Sequence, residues 1–145
     1  MPPTVAAIHV YPIKSCGPLS PASAYLDAYG FALDRNWAIL DLEGKLITLR
    51  DVPRLVLLVP EIRVINDGKG GLEEGGVMVL SAEAVGKVEV PFGPGAAEGR
   101  KKVEVDVWGE RVDGLDEGDA VAEWLEKYMG RKGRLVVKDP GQSGR

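Results

Sequence analysis

The stretch Tyr11-Pro12-Ile13-Lys14-Ser15-Cys16-Gly17-Pro18 sets an ammonium, a hydroxyl and the chain's only thiol in consecutive positions. Pro12 and Pro18 bracket it, and because each lacks an N–H the segment is expected as a loop rather than part of a central ladder. This combination suits an anion, with Lys14 as a movable point charge and Ser15 as a neutral hydrogen-bonding group. Arg35 and Arg50, each at the edge of a run that reads as a strand, would add forks that can each hold two phosphate oxygens. If those strands are neighbours, the three cations converge on one ligand. The alternative is that Arg35 pairs with the adjacent Asp34 or another carboxylate and pins a loop. Cys16 also reads two ways: a thiol activated by Lys14 as nucleophile or soft-metal ligand, or a small packed residue, with packing the favoured reading.

Other chemistries lack their residues. Lys14-Ser15 is not preceded by the glycines that wrap a phosphate, and no Cys-x-x-Cys or paired-histidine spacing offers a zinc site. His9, the only histidine, reads as a structural strand residue. It stands seven positions from Cys16 along a strand and its following loop, and an extended chain rising about 3.3 Å per residue keeps the two apart. No catalytic residue and no metal ligand is therefore assigned.

At 145 residues the chain fits one domain with a core of its own. Hydrophobic residues at 45% and charged residues at 28% argue for a globular chain and against disorder. A net charge of -4 argues against a nucleic-acid partner, and the basic runs at 100–102 and 131–134 read as solvated loop ends. A lone cysteine makes no intrachain disulfide, so an intracellular, reducing location is expected, the cytoplasm included. The longest apolar stretch, 55–60, falls far short of the roughly 20 residues of a membrane-spanning helix.

The elements that position the loop are mostly short strands. Residues 5–10 read as a strand buried on both faces, and 22–26 as a second strand followed by a turn at 27–30. Residues 31–41 and 45–50 flank Glu43-Gly44 as a hairpin, and 55–59 reads as a strand ended by Pro60. Further strands are expected at 62–65, 77–80, 85–90, 103–108, 111–112 and 134–138, with a glycine-rich tip at 66–71 and a loop at 91–99. One helix is expected over 116–129, with Asp116 as N-cap, Gly130 as stop and Trp124 and Tyr128 as packing residues. The fold class is thus α+β and mainly β: a β-barrel or strongly curved sheet with one C-terminal amphipathic helix. Residues 1–138 form the domain, and 139–145 a tail or the start of a linker.

Three further blocks sharpen the picture. After Tyr11-Pro12-Ile13-Lys14-Ser15-Cys16 come Gly30-Phe31-Ala32-Leu33-Asp34-Arg35-Asn36-Trp37, then Gly44-Lys45-Leu46-Ile47-Thr48-Leu49-Arg50 with Pro53-Arg54-Leu55. Val107-Trp108-Gly109 and the segments 118–125 and 134–136 complete the set. Together these resemble the N-terminal β-barrel domain of MOSC proteins, which include the mitochondrial amidoxime-reducing components and the C-terminal region of molybdenum cofactor sulfurases. The resemblance implies that Lys14, Ser15 and Arg35 contact the molybdenum cofactor through its molybdopterin. It implies a MOSC domain in cis that carries the molybdenum-ligating cysteine, a position that Cys16 does not match. It also implies haem or flavin electron-donor proteins as partners. The whole protein would reduce N-hydroxylated compounds or transfer sulfur to the cofactor, and this chain would be inactive alone. Gly17-Pro18 departs from the family, where a basic residue and then Gly often follow. The rival expectation is a stand-alone, non-catalytic protein-binding module.

Overall fold

The computed structural model describes residues 11–18, 26–27, 30–31, 36–64, 76–92, 99–107 and 110–138. The strand expected at 5–10 with His9, the site candidate Arg35, Trp108, the tip at 66–71 and the tail at 139–145 lie outside the described residues.

In chain order the elements are β1 (Leu26–Asp27), β2 (Gly30–Phe31), β3 (Trp37–Leu40), a 3-10 helix (Pro53–Leu57), β4 (Glu61–Val64), β5 (Gly76–Ala82) and β6 (Gly86–Phe92). They continue with β7 (Lys102–Val107), β8 (Glu110–Asp116), the helix α1 (Asp119–Met129) and β9 (Arg134–Lys138). Strands β3, β9, β8 and β7 form one antiparallel sheet in that order; β4, β5 and β6 form a second, and β1 pairs with β2. The result is a mainly β domain with a strongly curved half-barrel sheet and, among the described residues, a single α-helix.

Strand periodicity sorts the first sheet into two faces. Trp37 and Ile39 pair with Val137 and Leu135, and with Leu115 they join the main core, where Met78, Leu80, Val90 and Phe92 arrive from the second sheet. The intervening residues Ala38 and Val136 pair on the opposite face and, with Leu40 and Val105, form a smaller buried cluster. All four residues of β3 are therefore buried, which explains the unbroken apolar run Trp37-Ala38-Ile39-Leu40. On α1, Val121, Trp124, Leu125 and Met129 recur at helical spacing and are buried against β6 and β9. Trp124 donates its indole N–H to the Gly86 carbonyl at 3.1 Å and stacks on Tyr128.

Several boundaries differ from expectation, each for a local reason. The second arm of the hairpin after β3 is a single bridge, Leu40 with Leu46, followed by one bond from the Ile47 N–H to the Ile39 carbonyl. Beyond it the Asp51 carboxylate accepts from the Thr48 N–H at 3.0 Å and turns the chain out of the sheet. The run at 55–59 is not a strand: Pro53 starts a 3-10 helix with its ring at a position that needs no N–H. Leu55 and Leu58, three residues apart, are buried while Val56, Leu57 and Val59 face outward. Pro91 and Phe92 extend β6, and a proline is tolerated there because β6 is an edge strand. Helix α1 begins at Asp119 rather than 116, because Asp116 ends β8 and Gly118 is the N-cap residue. The stop at Gly130 stands, with φ 77° and its N–H on the Glu126 carbonyl.

Candidate functional site

The loop at 12–17 is fastened to the fold on two sides. The Trp37 N–H donates to the Pro12 carbonyl and the Lys14 N–H to the Trp37 carbonyl, both at 2.9 Å, in a parallel bridge between Ile13 and Trp37. On the other side the Gly17 N–H donates to the Leu58 carbonyl at 2.8 Å. A Cβ at Gly17 would lie 2.7 Å from Val59 Cγ2 and 3.0 Å from the Val56 carbonyl oxygen, so only glycine allows this approach. Between the anchors, the Cys16 N–H closes a tight turn on the Ile13 carbonyl at 3.1 Å. Lys14 and Ser15 are its two central residues, and Ser15 has φ 76°, the left-handed value that such a turn ordinarily assigns to Gly or Asn.

The turn separates the three side chains. Ile13 and Cys16 point inward, 0% and 2% exposed, while Lys14 and Ser15 are half-buried at the turn. Cys16 packs in the main core cluster, as the packing reading expects, and burial pushes its thiol up to about 12. No carboxylate pairs with Lys14 among the described residues. Arg50 sits on the exposed turn at 48–51, its N–H on Thr48 Oγ1, and not at the end of a paired strand. The structure thus brings Lys14 and Ser15 together at one turn and carries Arg50 on a separate one. Among the described residues no cluster of three His, Cys, Asp or Glu is arranged to hold a metal.

A second polar constellation stands where β8 hands over to α1. Glu117, its side chain 1% exposed, accepts from Trp37 Nε1 at 2.6 Å through Oε2, and Arg100 Nη1 lies 2.8 Å from Oε1. Arg134 reaches Asp116 through Nε (2.5 Å) and Nη2 (3.0 Å), and its Nη2 also meets Asp119 at 2.8 Å. Burial raises the Glu117 carboxyl, and the Trp37 N–H and Arg100 only partly offset it. Burial also works to raise Asp116, but there the Arg134 guanidinium and the Gly118 N–H prevail and hold the carboxyl low. Arg100, Asp116, Glu117, Asp119 and Arg134 line a cleft of about 640 Å³ with Leu40, Val103 and Val136. Sequence reasoning gave Glu117 no role beyond an acid suited to the positive helix start, and the signal that could have found it is its place between a strand and a helix rather than within the first turn.

A curved, mainly β domain with a lysine- and serine-bearing turn braced on its central tryptophan describes a class of small half-barrel domains. The family model for the MOSC N-terminal beta barrel domain matches residues 2–132, and the chain belongs to that family. It is 33% identical over 143 residues to the molybdenum cofactor sulfurase of Drosophila erecta, covering 97% of this chain and 17% of that protein. It is 32% identical over 142 residues to mitochondrial amidoxime-reducing component 1 of Mus musculus, covering 94% of this chain and 38% of that one. The chain therefore spans well under half the length of these relatives. A solution structure of a Bordetella bronchiseptica protein shares the fold, with TM-score 0.58 and 20% identity over 83% of this chain and 91% of its own. Among the described residues no helix is long and apolar enough to cross a membrane.

Proposed function

We propose that this domain contributes cationic and polar contacts to the molybdopterin of a molybdenum cofactor, from Lys14, Ser15 and Arg35, together with a MOSC domain in the same polypeptide. The observation that carries the reading is Ser15. A serine held at φ 76° costs about 1–3 kcal/mol relative to a relaxed backbone, and glycine would adopt the same turn without it. Retaining a hydroxyl there has a reason if the hydroxyl binds something. The donor set fits the group: an ammonium without a carboxylate partner among the described residues, beside a hydroxyl, is suited to anionic phosphate oxygens. Arg35 precedes by two positions Trp37, the residue bridged to Ile13, and would add a two-toothed contact.

When bound, the cofactor supplies the redox or sulfur-carrying chemistry, either reduction of N-hydroxylated compounds or sulfur transfer. This chain's part is to bind and orient. Cys16 packs in the core and is given no ligand role in this reading, and the names of the relatives favour it over a stand-alone binding module. Haem or flavin electron donors belong to the reductase branch of the proposal, and a cytoplasmic or mitochondrial location to both. The test is molybdopterin content, read as oxidised pterin fluorescence, in the polypeptide that joins this domain to its MOSC domain. Lys14→Ala with Arg35→Ala should lower occupancy at least tenfold. Ser15→Gly should lower occupancy too while raising thermal stability, since it relieves the left-handed serine. Unchanged occupancy in both variants refutes the assignment.

A further inference from the structure

Outward-facing aliphatic side chains concentrate beside the candidate site. Val56, Leu57 and Val59 are 52%, 76% and 50% exposed, within four residues of one another, while Leu55 and Leu58 anchor the same segment in the core. An isolated exposed leucine needs no explanation, but three outward aliphatic side chains within one short anchored ridge make a candidate surface for a partner. The 3-10 helix ends at Leu57 with Leu58 as its C-cap, and Leu55 and Leu58, three residues apart, hold the segment in the core, so the outward side chains cannot turn inward without expelling them. Arg54 and Glu61 flank the ridge with exposed charge, giving it the apolar centre and polar rim of a protein interface.

We propose that this ridge, Val56, Leu57 and Val59, is the surface on which the MOSC domain of the same polypeptide docks. The inference rests on the cofactor reading above and names the partner that closes the site. Two observations select this occupant. The chain spans 38% of the mouse amidoxime-reducing component and 17% of the fly sulfurase, so in those proteins the domain is covalently joined to a much longer polypeptide. The ridge is also continuous with the Lys14-Ser15 turn: Gly17 is bonded to Leu58 and its Cα lies against Val59. A domain seated on the ridge lies next to the turn, and its apolar contact excludes water from the polar contacts beside it.

The experiment exploits the buried native thiol. Leu57→Cys supplies an exposed thiol on the ridge, whereas Cys16 is 2% exposed and its thiol is pushed up to about 12. Maleimide labelling at position 57, followed by peptide mass, is compared between the 145-residue chain and the polypeptide that joins it to its MOSC domain. Labelling at least tenfold slower in the joined form is expected, with Lys87→Cys on β6 as an exposed reference labelled equally in both. Equal rates at position 57 overturn the proposal, as does a reading frame that ends at Arg145 with no MOSC domain to pair with it. Slow labelling in the isolated chain, rising with concentration alongside a dimer mass, also overturns it and assigns the ridge to a second copy. Adding Lys14→Ala and Arg35→Ala separates the two readings: the labelling contrast should persist in that background, while the cofactor content alone reports on the turn.

Discussion

Glu117 has its carboxylate buried between an indole N–H and a guanidinium, in a place where a neutral group would be easier to hold. Its carboxyl is raised above the ordinary 4.5 by burial, which outweighs the Trp37 and Arg100 contacts. A folded value above the unfolded one means that the native state binds the proton more tightly. Glu117 therefore contributes stability that is full below pH 4.5 and lost as the pH rises through the folded value. Glu117→Gln keeps an acceptor for Trp37 Nε1 and removes the titration. Thermal melts of the two proteins should coincide below pH 4.5, with the glutamine variant melting higher near pH 7. Glu117→Leu strands the indole N–H and Arg100, and should destabilise the domain by about 1–3 kcal/mol at pH 7. A glutamine variant that is less stable than the parent at neutral pH would show that the Arg100 pairing dominates instead. Glu117 escaped sequence reasoning because an acid at a helix start is usually exposed, and the contact that holds it comes from Trp37, 80 positions away. By contrast Lys14 and Ser15 were legible, because two prolines enclose a short polar segment that has nowhere to go but a turn.

The legibility of the elements depended on how much of their burial is periodic. Helix α1 was readable because its core residues recur at 3.6 and its end has a glycine in the left-handed conformation, and strand β7 because Val103 and Val105 alternate with exposed Lys102, Glu104 and Asp106. The run Leu55-Val56-Leu57-Leu58-Val59 was misread because every residue is apolar, so the sequence carries no phase to tell a period of three from a period of two. Close approaches are equally invisible. Gly114, in the middle of β8 between β7 and β9, admits Val136 Cγ1 into the space where a Cβ would stand, with the Val137 carbonyl 3.2 Å away. Because β8 is bonded on both sides it cannot shift to make room. Gly114→Ala should therefore lower stability by about 1–3 kcal/mol, seen as a lower urea midpoint at unchanged slope. Combining it with Val136→Ala should cost less than the sum of the two single changes, since the second removes the methyl that the first displaces. Strict additivity would mean that the backbone moves after all.

Across the molecule, Trp37 is the joint. Its backbone holds the Lys14 turn, its indole N–H reaches Glu117 at the entrance to α1, and its ring meets Phe92 of the second sheet edge-on, with centroids 6.0 Å apart at 79°. Residues of both sheets, the 3-10 helix and α1 share one buried cluster around it. Two sheets that share one core have no boundary along which to separate, so the described part of the chain should unfold as a single unit. Urea transitions followed by tryptophan fluorescence and by far-ultraviolet circular dichroism should superimpose. Phe92→Leu, which trims the contact from the second sheet alone, should shift both curves together by about 1 kcal/mol. If the sheets were energetically independent, the same substitution would loosen the strand signal from β4, β5 and β6 first and leave part of the ellipticity on the parental curve. That split would also mean that the turn bearing Lys14 and Ser15 is braced by the first sheet alone, and on the cofactor reading proposed above Phe92→Leu would then leave molybdopterin occupancy untouched. On the same reading a shared core predicts that occupancy falls in step with the loss of stability, because the tryptophan that fixes the turn is the one the phenylalanine supports.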